Sequence, residues 1–175
     1  IPSTVAVADT SLAILRTQYR MGETIAAAVS EVAYFSLLSS HVDAIARAHE
    51  LAARAPMAGN EVAIIDISGM DTACLQDAAP RSFSRFNLRS AAVAATLAQQ
   101  AHDAGLEVGV ITPYRAQVAV LSALLRSYGD ITAATMHRFQ GSERDAIVLD
   151  LVDAEPERGP SRLTGKDSDL ALRLL

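Results

Sequence analysis

Between Leu88 and Val152 the chain alternates short β-branched runs with helix-length amphipathic segments, and that rhythm limits the fold more than any other feature. Apolar residues recur at helical spacing from Leu88 to Ala104, and Gly105 supplies a stop signal. Glu107 to Thr112 then reads as a strand. Arg115 to Tyr128 reads as a helix with Val118, Leu121, Leu124 and Leu125 on one face, stopped by Gly129. Ile131 to Thr135 and Ala146 to Val152 read as further strands, and the earlier run Val62 to Ile67 as another. Strands joined through helices of this length pair in parallel, because a parallel crossover needs a dozen residues or more. The expected fold class is therefore α/β, a mostly parallel sheet flanked by helices, RecA-like or Rossmann-like.

Upstream, Leu12 to Thr17 is expected to form a strand that leads into Gln18-Tyr19-Arg20. Gly22 to Leu38 and Val42 to Arg54 are expected to be alanine-rich amphipathic helices. Gly69 to Phe86 and Ala154 to Lys166 lack a clear period, carry prolines and glycines, and read as loops. A length of 175 residues, half of them hydrophobic, suits one domain with a sizeable core. Ile1-Pro2 and the helical pattern at Leu170 to Leu175 suggest a fragment of a longer protein, with residues 1–175 as one domain of it. No apolar run approaches the roughly 18 residues of a membrane span. Cys74 is the only cysteine, which excludes an internal disulfide framework and a cysteine metal cluster and fits a reducing, cytoplasmic setting.

Charge narrows the choice of partners. The net charge is −5, so contact with nucleic acid would have to be made by a local surface. Every basic residue except Lys166 is an arginine, a bias that fits genome composition, and with the alanine content it points to a bacterial source. The chain has no G-x-x-x-x-G-K-[ST] phosphate loop, no G-x-G-x-x-G, no G-x-S-x-G and no histidine spacing typical of a metal site. His41 and His49 are expected to be solvated surface histidines. Three polar loops fall at the ends of expected strands: Tyr19-Arg20, Thr112-Pro113-Tyr114-Arg115 and His137-Arg138-Phe139-Gln140-Gly141. Ligand contacts in parallel α/β sheets gather at such ends. Their aromatic, hydroxyl, amide and guanidinium groups suit a phosphorylated ligand or a nucleic-acid backbone.

Four segments carry a resemblance. Q-Y-R-M, S-x-x-N at Ser84 to Asn87, V-G-V-I-T-P-Y-R-A-Q-V and T-M-H-R-F-Q-G-S-E-R-D-A-I-V-L-D stand in this order and spacing. Together they resemble the second RecA-like domain of superfamily 1 helicases of the Upf1-like branch. The resemblance covers about residues 12 to 175 and implies a RecA-like P-loop NTPase-type fold that lacks the Walker A half. It also implies an ATP-dependent helicase as the parent, with ATP and Mg2+ held mainly by the N-terminal RecA-like domain of that chain. Single-stranded DNA or RNA is the implied partner.

The resemblance assigns roles by position. Arg20 is implied to reach the γ-phosphate, where a guanidinium offsets charge developing in phosphoryl transfer. Tyr19 is implied to lie near the adenine, with Gln18 supporting the loop. Gly141 and Glu143 are implied to lie near the nucleotide. Thr112, Pro113, Tyr114, Gln117, Thr135 and His137 are implied to face the nucleic-acid strand. Asp150 departs from the serine or threonine common in the family. The chain stops before the A-L-[TS]-R-A-[RK] motif that Ser168 to Leu175 leads into, so this stretch alone is expected to be inactive in ATP hydrolysis. Phe139 is expected to be a core anchor, Glu143 and Asp145 part of a solvated turn. Two alternatives stand beside the motor: a non-catalytic nucleic-acid-binding or interaction module, and a Rossmann-like enzyme acting on a small phosphorylated substrate.

Overall fold

In the computed structural model, residues 15–70, 73–79, 82–139 and 141–153 are described. The chain divides into two compact units, Ile1–Ala48 and His49–Leu175. Of the expectations above, the start of the first strand, Gln140, the loop from Ala154 and the segment from Ser168 lie outside the described residues.

The first unit holds β1 (Thr17–Gln18), α1 (Glu23–Ala33), β2 (Ser39–Ser40) and the start of α2 (Val42–Ala52). β1 and β2 pair in parallel, with Thr17 opposite Ser39 and Gln18 opposite Ser40. α1 is shorter than its sequence pattern suggests. It ends before Phe35 and Ser36, whose φ angles of 52° and 59° are left-handed and cannot continue a helix. The buried Ser30 stabilises the return, its hydroxyl accepting from Leu38 N at 2.9 Å and donating to Leu38 O at 3.2 Å.

The second unit is built on three parallel strands, β5 (Val108–Thr112), β6 (Thr132–Thr135) and β7 (Ala146–Leu149), in the order β6-β5-β7. The α/β class is as expected. α3 (Leu88–Asp103) and α4 (Arg115–Leu124) cover one face. α3 presents Ala91, Ala94, Ala95, Ala98 and Ala101, all buried, so a stripe of methyl groups lets the helix lie close on Val108 and Val110. Leu106, Leu121, Leu125 and Ile131 close that core.

On the opposite face lies α5 (Met136–Phe139), a single turn where a loop was expected. Phe139 is buried against Gly109, as its expected anchoring role requires. A Cβ on Gly109 would sit 2.1 Å from the Phe139 ring, so only glycine fits there. Ile147 and Leu149 share this face, opposite Gly109 and Ile111 in the ladder, and both stay exposed.

Two expectations are corrected. Val62 to Ile67 has no regular secondary structure and enters no ladder among the described residues, and Ile64 is 92% exposed; β-branched composition favours a strand only when an edge is there to receive it. Part of the expected loop Gly69 to Phe86 forms a small antiparallel pair, β3 (Leu75–Gln76) with β4 (Arg85–Phe86), extended by Asp77 N donating to Ser84 O at 2.8 Å.

Candidate functional site

The first candidate surface is the turn after β1, and Gln18 shapes it. The Gln18 Oε1 accepts from Arg20 N and Met21 N, each at 2.7 Å. Its Nε2 donates to Met21 O at 2.7 Å and to Ser40 Oγ at 2.5 Å. One side chain thus satisfies three backbone groups of a tight turn and ties it to β2. Such a turn holds its next two side chains outward. Both Tyr19, at 68% exposure, and Arg20 are exposed. Tyr19 stacks on His41, with ring centroids 4.5 Å apart and planes 28° from parallel.

The second candidate surface lies at the C-terminal ends of the strands in the other unit. Thr112 and Thr135 are ladder partners on neighbouring strands, and exposed His137 lies in the turn that follows. Gly141 has a φ of 83°, and a Cβ there would meet nothing within 4 Å, so the main chain at this point is open to approach. Glu143 is exposed beside it. Asp145 is structural, its Oδ2 accepting from Glu107 N at 3.0 Å and so fixing the entry to β5. Arg144 lies over the Phe139 ring, 5.7 Å from its centroid, within the range of a cation–π contact.

Two of the residues expected to face the strand, Gln117 and Thr112, are buried. Gln117 is fully buried, and both ends of its amide are hydrogen-bonded inside the protein. Its Oε1 accepts from Asn87 N at 2.8 Å, while one N–H of its Nε2 donates to Asp150 Oδ2 at 2.6 Å and the other is shared between Asn87 O and Ser90 Oγ, each at 3.1 Å. An amide side chain used this way is a strut between α4, α3 and the end of β7. Thr112 is likewise fully buried, with no hydrogen-bond partner for its hydroxyl among the described residues. The loop it begins continues to the partly exposed Pro113 and Tyr114.

Residues not singled out for the site organise it. Ser84 Oγ accepts from Ala116 N at 2.8 Å, capping the first turn of α4, where Tyr114 offers no side-chain cap. Asn87 caps α3 by accepting from Arg89 N and Ser90 N at 3.0 and 3.2 Å. The S-x-x-N segment is therefore a double cap that starts both helices of the covered face. Asp153 was missed entirely. Its carboxylate accepts from Tyr114 OH at 3.2 Å and Arg85 Nη1 at 3.1 Å, with the Cys74 thiol 4.0 Å away. The hydrogen bond to Asp153 raises the Arg85 guanidinium above its ordinary pKa. An Asp four residues beyond β7 gives no signal of this in the sequence.

Asp150, one turn of chain before it, accepts from both Gln117 and Val152 N, the latter at 3.1 Å. Among the described residues no group of three or more His, Cys, Asp or Glu side chains is placed to hold a metal. No helix among them is long and apolar enough to cross a membrane.

Comparison with known proteins gives three findings. Residues 3–167 match the AAA_12 family, described as an AAA domain. A probable helicase from Dictyostelium discoideum is 39% identical over 57 residues, 33% of this chain and 6% of that protein. The DNA polymerase alpha-associated DNA helicase A of Schizosaccharomyces pombe is 38% identical over 60 residues, 32% of this chain and 9% of that protein.

Proposed function

This chain belongs to the AAA domain family, with helicases among its relatives, and from that premise we propose that it is the second motor domain of an ATP-dependent superfamily 1 helicase. The α/β fold is RecA-like, of the P-loop NTPase type. ATP and Mg2+ are held mainly by the N-terminal RecA-like domain of the same parent, and this domain adds groups to the cleft. The full parent hydrolyses ATP, and the present stretch alone does not. The protein works in the bacterial cytoplasm.

The observation that carries this reading is the turn at Gln18 to Met21, in which one buried-side amide holds Tyr19 and Arg20 outward. A nucleobase can lie on the open tyrosine ring. The guanidinium of Arg20 suits the terminal phosphate, where it offsets charge as the phosphoryl group transfers. When bound, Mg2+ would neutralise charge on the phosphates, and this chain positions and polarises the terminal one through Arg20. In the other unit, Gly141 and Glu143 offer an open main chain and an exposed carboxylate, groups of a kind that suits a nucleotide. Pro113, Tyr114, Thr135 and His137 form the nucleic-acid side, contacting phosphate and sugar of a single strand without reading its sequence.

The test is Arg20→Ala in the full-length protein. ATPase kcat is expected to fall by about 10³-fold or more, in the range found for such arginines, with circular dichroism unchanged. Turnover within tenfold of wild type would count against the assignment.

A further inference from the structure

We infer that His41 is a positioning residue for the nucleobase, acting through Tyr19. The inference rests on the reading of Tyr19 as the residue that meets the base. A tyrosine on a short exposed turn has two side-chain torsions to lose when a base stacks on it. A partner on one face removes that freedom beforehand and leaves the other face for the ligand, so less ordering remains to be done on binding.

The imidazole of His41 is such a partner. It lies against one face of the Tyr19 ring at 4.5 Å and 28°, yet Tyr19 is still 68% exposed. His41 is itself held on three sides. Its backbone N donates to Gln18 O at 2.8 Å, so the histidine is tied to the residue that shapes the turn. Gln18 and Ser40 are ladder partners, which places position 41 directly across from position 19. The Nδ1 faces Asp43, 3.3 Å from its backbone N and 3.3 Å from its Oδ2. That nitrogen has an amide to accept from when bare and a carboxylate to donate to when protonated, so the ring is oriented in either state. A solvated surface histidine, the expectation from sequence, needs neither the ring stacking nor the engaged Nδ1.

The experiment measures steady-state ATPase kinetics of the full-length protein for wild type, His41→Ala, His41→Phe and Tyr19→Ala, with inorganic tripolyphosphate as a competitive inhibitor that lacks a base. His41→Ala is expected to raise KM for ATP about two- to tenfold, the size of one aromatic pair. Its kcat and its inhibition by tripolyphosphate should stay within twofold of wild type, and His41→Phe, which keeps a flat ring, should restore KM. An unchanged KM in His41→Ala beside a raised KM in Tyr19→Ala would overturn the role of His41 and leave the nucleotide reading standing. Equal losses toward ATP and tripolyphosphate with no rescue by phenylalanine would reduce His41 to a folding element and overturn the inference. An unchanged KM in Tyr19→Ala would remove the premise itself.

Discussion

Gly109 and Phe139 show how much one missing methyl group can decide. The aromatic ring lies where a Cβ would be, 2.1 Å from one ring carbon and 2.8 Å from another. Gly109→Ala must therefore displace a buried phenylalanine and the turn that carries it. Overpacking of this kind costs about 1–3 kcal/mol, and denaturant titration is expected to show a loss of that size. In a Phe139→Ala background the added methyl has room, and the second loss should nearly vanish; a full additive loss would refute the contact. The consequence reaches the candidate site, because the displaced turn carries His137 and leads into Gly141. Phe139 was legible in the sequence as an anchor, since a lone aromatic in a polar loop has few other uses. Its partner was not legible, because a glycine in a strand gives no hint of what covers it.

At the level of elements, the polar groups around Asn87 join what hydrophobic packing alone would leave loosely registered. Asn87 caps α3, exchanges two hydrogen bonds with Gln117 of α4, and donates from Nδ2 to Val152 O beyond β7 at 3.2 Å. Asn87→Ala removes a helix cap, about 0.5–2 kcal/mol, and leaves a buried carbonyl unpaired, about 1–3 kcal/mol more. A combined loss of about 1.5–5 kcal/mol is expected in chemical denaturation. A loss under 0.5 kcal/mol would mean that water replaces these bonds. The same network explains why Gln117 moved from surface to interior between expectation and structure. Spacing places a residue on a helix but does not say which face the neighbouring elements will cover, and Gln117 lies on the covered one. Segment Val62 to Ile67 errs in the other direction, with strand composition and no ladder.

For the whole molecule, a net charge of −5 means that nucleic acid is not drawn by overall attraction. Binding by the proposed surface must come from a few phosphate contacts near His137 and Arg138, both exposed. Each contact on a single strand contributes about −0.7 to the slope of log K against log salt. A slope of about −1.4 to −2.8 is expected from fluorescence titrations of a labelled oligonucleotide across salt concentrations. A flat response would argue for the interaction-module alternative. The sequence by itself determined the α/β class, the parallel pairing and the motif loops at strand ends, because periodicity and chain stops are local properties written along the chain. Only the tertiary structure decided which polar side chains remain at the surface. Gln117 and Thr112 went inside, Asp153 gathered Tyr114 and Arg85, and His41 came to lie under Tyr19. Those outcomes depend on contacts between residues far apart in sequence, and burial is a property of the packed neighbours rather than of the residue.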